Sequence, residues 1–192
     1  MDLQHINVKL LLHKRDDFDL EPLIPVFHSW IRGQVCEELL LDVADYRHVE
    51  AGPGVILIGH QANYSVDNTD HHLGVRYNRK AVFEGSNQDR LKQAARAALA
   101  ACQRLEAEPS LNGKLRFNGQ EIELFVNDRL LAPNRDDTRI AAEPELRAFF
   151  HELLGGSEPA LRYCPDPRRL FTVSAKAARS FEVSELLHNL SS

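Results

Sequence analysis

No apolar run in this chain approaches the roughly 18 residues that cross a bilayer, so neither a membrane-spanning helix nor a membrane partner is expected. The N-terminus carries Asp2 and an apolar run too short for a signal core, with no small-residue cleavage site. No secretory leader is read there. Cysteine is scarce. Cys36, Cys102 and Cys164 are an odd, widely spaced trio without a C-x-x-C pair, which builds neither a disulfide framework nor a zinc knuckle. These absences fit a reducing cytoplasm. Basic charge is short too: the net charge is -5, and the clusters at 76–80 and 166–170 are brief. Phosphate backbones need a counterion, so nucleic acid is not an expected partner.

The catalytic signatures that can be tested by spacing are also missing. There is no G-x-x-x-x-G-K-[ST] loop, no G-x-G-x-x-G after a strand and no G-x-S-x-G elbow. The run "HELLG" at 151–155 begins like a zinc-protease helix but has Gly155 where the second histidine would stand. No cofactor is named by any of these residues.

What is present is an ordinary globular composition, 43% apolar and 27% charged, in 192 residues, long enough to bury a core. Residues 6–12 alternate as a strand, and 22–33 carry Leu23, Phe27, Trp30 and Ile31 at helical spacing. Residues 39–49 read as a strand, 55–67 as a second after the turn at Gly52-Pro53, and 72–82 as a third, which makes a meander. Ser86 and Asp89 form an S-x-x-D capping box before a long alanine-rich helix. Its stripe of Leu91, Ala95, Ala98, Leu99, Cys102 and Leu105 is expected to lie against the sheet. Asn118-Gly119 is a hairpin signal within 115–126, and "EPELRAFFHELLGG" is a helix with Pro144 near its start. Two further strands, "ALRYCP" and "LFTVSAKA", close the fold.

The expected class is therefore α+β: a largely antiparallel sheet built from hairpins and a meander, with two or three helices on one side. The run from the fourth strand through the seventh has the β-α-β-β-α-β order of a ferredoxin-like unit. Residues 1–178 are expected to form one domain, and 179–192 a tail or short amphipathic helix.

Chemistry concentrates in the meander. If the strands pair in the right register, Asp42, Tyr46, His60, Tyr64 and Tyr77 meet on one patch of sheet. A carboxylate beside an imidazole prepares a general base or a metal ligand. In that arrangement His60, Asp42 and Tyr46 are the candidate catalytic residues, and Tyr64 and Tyr77 bind the ligand. Asp128 and Arg129, leaving a strand end, are a further candidate ligand pair; Asp128 stabilising its own turn explains them more cheaply. The plainer account of the whole meander is a solvated polar sheet face.

Two functions follow as expectations. The first is a non-enzymatic cytoplasmic binding or accessory protein acting through its sheet face or edge, with no resident metal. The alternative is a small hydrolase, lyase or isomerase with a His-Asp-Tyr site, whose metal-dependent form would use His60 with His48 or Asp42. A homodimer is expected as well. Its basis is a pair of assumed edge strands, 6–12 and 170–175, and an apolar strip of Val183, Leu186, Leu187 and Leu190 with no obvious partner.

Overall fold

Residues 1–13 and 18–191 are described by the structure, a computed structural model. They form eight strands: β1 (Ile6–Leu12), β2 (Leu40–Tyr46), β3 (Gly54–Gly59), β4 (Ala62–Asp67), β5 (Gly74–Arg79), β6 (Phe117–Val126), β7 (Ala160–Tyr163) and β8 (Phe171–Lys176). Four α-helices accompany them: α1 (Leu23–Gly33), α2 (Asn87–Ala107), α3 (Asp136–Leu153) and α4 (Val183–Asn189). All eight strands join one antiparallel sheet in the order β2-β3-β4-β5-β1-β6-β8-β7. This is the α+β class expected from the sequence.

Helices cover one face of the sheet. Alternation sends Ile6, Val8, Leu10 and Leu12 of β1 to that side, with Leu57 of β3, Tyr64 of β4, Val75 and Tyr77 of β5, Leu124 of β6 and Val173 of β8. These pack into one apolar cluster with Phe27 and Trp30 of α1, Leu91, Ala98 and Cys102 of α2, Phe149 and Phe150 of α3, and Leu186 of α4. The stripe of α2 lies against β1 and β5 as its spacing predicted. The capping box is formed: Asp89 N–H donates to Ser86 Oγ at 3.2 Å, and Ser86 N–H donates to Asp89 Oδ2 at 2.8 Å.

The structure departs from the sequence reading in four places. Residues 55–67 are not one strand, because the chain reverses at His60-Gln61 and makes β3 and β4. Gly59 permits the reversal, since a Cβ there would stand 2.5 Å from the Ala62 carbonyl oxygen. Asn118-Gly119 is not a turn, and β6 continues through it with a shift of register against β1. Gly119 serves a close approach instead: a Cβ would stand 2.1 Å from the Phe181 carbonyl oxygen. With one strand between α2 and α3, the order there is β-α-β-α-β, and the ferredoxin-like run is absent. Third, α3 begins at Asp136, so Pro144 lies inside the helix rather than near its start. Pro144 is exposed, which leaves the carbonyl it frees open to water.

The fourth departure concerns the edges. β1 is central and β8 is interior; the edge strands are β2 and β7. The C-terminal strip does not stand free either. Val183, Leu186 and Leu190 are buried against the chain's own core, with α4 on α2 and α3. Both observations behind the expected homodimer thus resolve within one chain: main-chain pairing occupies the assumed edges, and the tail covers its own apolar strip. Among the described residues no helix is long and apolar enough to cross a membrane.

Candidate functional site

The expected patch divides among three places. Tyr64 and Tyr77 stand opposite each other on β4 and β5 and face the helices, their rings 5.1 Å apart and edge to face. Asp42 stands opposite Ile58 and Tyr46 opposite Gly54, so both face the other side of the sheet. The Asp42 carboxylate accepts from the Val43 N–H at 2.8 Å, and the Tyr46 ring stacks on His48. His60 lies exposed in the β3–β4 turn, its N–H donating to the Leu39 carbonyl at 2.8 Å. The turn at 60–61 is the physical reason. It reverses side-chain parity, so residues that would share a face along one strand lie on opposite faces of two.

The two tyrosines meet a residue that the sequence did not single out. Glu38, only 4% exposed, lies in the segment from α1 to β2. Tyr64 Oη donates to Glu38 Oε2 at 2.5 Å, and Tyr77 Oη donates to Glu38 Oε1 at 2.7 Å. Gln93 of α2 donates from Nε2 to Tyr77 Oη at 3.0 Å, and the Arg79 guanidinium stands 3.9 Å from Glu38. A buried carboxylate is costly unless its lone pairs are met, and here two hydroxyls and a nearby cation meet them.

Tyr64 and Gln93, two members of this chain of hydrogen bonds, line a cleft of about 690 Å³. Ala97, Ala100 and Ala101 of α2 form one wall, with Leu187 of α4, Phe83, Val35 and Cys36 around it, and Asp89, Lys92, Arg96 and Arg104 of α2 together with Glu37 and Glu84 bring charge to the lining. Small side chains on α2 leave the hollow, because they give the helix surface so little relief there. Burial pushes the half-buried Cys36 thiol up to about 11, with the Glu38 charge adding to the rise against a hydrogen bond from Tyr64. Burial is also the largest cause of the rise for Tyr64 and for Tyr77, followed by neighbouring groups that include Glu38. Near neutral pH the thiol and both phenols are therefore uncharged donors. His60 is not among the residues lining the cleft.

On the opposite sheet face lies a charged hollow of about 250 Å³. It contains Arg129, which makes no ion pair or hydrogen bond among the described residues. Asp128 does not pair with it; its carboxylate accepts from the N–H groups of Leu130 and Leu131 at 3.0 and 2.9 Å, with His5 Nε2 3.9 Å away. Lys9, in a strand assumed from the sequence to be an edge, is 1% exposed at the centre of the sheet and pairs with Asp67. His72 places Nδ1 2.7 Å from Glu123 Oε1. One signal in the sequence marked this face: a lysine in the middle of the apolar run 6–12. Among the described residues, no three His, Cys, Asp or Glu side chains are grouped so as to hold a metal ion.

Fold and site together define an antiparallel α+β protein with a helix-side cleft beside a buried Tyr64–Glu38–Tyr77 bridge. Compared with known proteins, the chain matches no family model, no curated protein and no solved structure.

Proposed function

We propose that this protein is a non-enzymatic binding protein that holds a small, largely apolar, uncharged molecule in the cleft between α2, α4 and residues 35–37. The observation that carries this reading is the chemistry of the lining. Cys36, Tyr64 and Gln93 are uncharged near neutral pH, and the charged residues of the lining balance, Glu37, Glu84 and Asp89 against Lys92, Arg96 and Arg104. Such a set recognises a hydrogen-bonding group without transferring a proton to it. The size of the cleft, about 690 Å³, falls within the usual range of small-molecule sites, and the surface it exposes is more apolar than polar.

The test uses the full chain and a variant, Ala100→Trp, at an exposed position that lines the cleft. Titration with Nile red, a neutral apolar dye, is expected to give saturable one-to-one binding to the unaltered protein. In Ala100→Trp the affinity is expected to fall at least about tenfold, equivalent to 1.4 kcal/mol. Equal binding by the two proteins overturns the cleft as the site. Native mass spectrometry of protein purified from its own cells then identifies what the cleft retains.

A further inference from the structure

The open face of the sheet carries charge in an arrangement that the helix-side cleft does not explain. Five cations line its hollow: Lys9, Arg76, Arg129, Arg168 and Arg169. Three of them are held by carboxylates. Lys9 Nζ stands 2.6 Å from Asp67 Oδ1, Arg169 pairs with Asp70, and Arg168 grips both oxygens of Asp166 at 3.1 and 3.0 Å. The remaining acid of the lining, Glu123, is engaged by His72.

Arg76 and Arg129 are left over. The Arg76 guanidinium lies 4.4 Å above the Phe125 ring, and its nearest carboxylate oxygen, on Asp67, is 3.9 Å away. That is beyond hydrogen-bond reach. Its Nε is buried and has no hydrogen-bond partner in the structure. A buried charged donor left unmet is expensive, so such atoms in folded proteins call for a partner. Arg129 leaves β6 on an exposed loop at the mouth of the same hollow, also without a partner among the described residues.

We infer that this hollow is a second binding site, for a small molecule bearing a dianionic phosphate group clamped by Arg76 and Arg129. Arg129, which is unpaired among the described residues, and Arg76, whose carboxylate neighbour is beyond hydrogen-bond reach, supply two guanidinium charges, and a phosphate monoester carries about −1.5 to −2 at neutral pH. Each planar fork presents paired N–H donors that match oxyanion geometry. At about 250 Å³ the hollow takes the phosphate and a small part of the group that bears it, and any larger ligand extends over the open sheet face.

Calorimetric titration of the full chain at low ionic strength tests this, with inorganic phosphate in one arm and succinate in the other. Saturable one-to-one phosphate binding is expected, weakening as salt is added. Arg129→Gln, at an exposed loop position, and Arg76→Gln should each reduce affinity about tenfold, while Arg168→Gln, whose partner is Asp166, should change it less than about twofold. Thermal melts confirm that Arg129→Gln is folded. If succinate saturates the site and phosphate does not, the phosphate assignment fails. Equal phosphate binding by Arg129→Gln and the unaltered protein, or no saturation with either anion, removes the site altogether. Ala100→Trp acts on the other face, so it should leave phosphate binding unchanged.

Discussion

Lys9 and Asp67 are joined by an ion pair of 2.6 Å on the open face of the sheet, with 1% and 2% of their surfaces exposed. The lysine comes from the central strand and the aspartate from the end of β4, with β5 between them. Asp67 is held further by the Thr69 N–H at 3.0 Å and by its hydroxyl at 3.1 Å. Removing one partner of such a pair strands the other charge in a poorly hydrated place. Lys9→Met is therefore expected to destabilise by about 3–5 kcal/mol, and the double variant Lys9→Met/Asp67→Leu to recover part of the loss. Urea denaturation of the three proteins measures both quantities. A double variant no better than the single one would mean that the Thr69 contacts, not the stranded charge, dominate.

The Tyr64–Glu38–Tyr77 bridge gives a second expectation. Tyr64→Phe deletes one donor to a carboxylate that remains buried, at a cost of about 1–3 kcal/mol. Adding Glu38→Gln should offset part of that cost, because a neutral amide tolerates the missing donor better. Thermal melts of single and double variants read the coupling directly; strict additivity would show that the bridge has no energetic content.

Cys36 should impose an alkaline limit on stability. Its thiol is raised from 9.0 to about 11 in the folded chain. Between those values the unfolded chain loses its proton first, so it binds fewer protons than the folded one and stability falls as pH rises. Below the unfolded value the contribution is fully present. Denaturation curves at successive pH values from 8 to 11 should show this decline, and Cys36→Ala should flatten its lower part. Tyr64 and Tyr77, also raised, prolong the decline at higher pH in both proteins. Labelling with a thiol reagent near pH 8 should be slow at Cys36, because the thiolate is the reactive form.

In α2, Cys102 is wholly buried among apolar residues. Cys102→Ser places a hydroxyl there without a designed partner and should cost about 1–3 kcal/mol. An unchanged melting temperature would place the helix stripe against solvent rather than the sheet. Gly119→Ala tests the other close contact. Its added methyl would stand 2.1 Å from the Phe181 carbonyl oxygen, so β6 and the approach to α4 must separate, at a cost of about 1–3 kcal/mol.

Local signals carried the sequence reading wherever one segment held all the information. The long helix was legible because capping, alanine content and a 3.6-residue stripe agree within 21 residues. The antiparallel α+β class was legible for a similar reason: short alternating runs divided by turn residues leave few other architectures. A parity change was legible in principle as well. Buried Val55 and Leu57 are odd-numbered, whereas buried Ala62, Tyr64 and Val66 are even, and a single strand cannot bury both sets on one face.

Tertiary structure decided the rest. Asn118-Gly119 has the composition of a turn, but Phe117 before it pairs with β1 and residues 122–126 after it pair with both β1 and β8, so the chain continues across a shift in register. Local propensity is worth less than the main-chain pairing of the residues that flank it. Lys9 looked like an edge lysine until long-range strand order put it in the middle of the sheet. Glu38 lies 26 and 39 residues from the tyrosines it joins, so no window of sequence could associate them. The sequence by itself determined that hairpins would form one sheet with helices upon it, because alternation and capping act between neighbours. Which side chains would share a cleft depended on strand order and register, and those are set only when distant segments pair and pack.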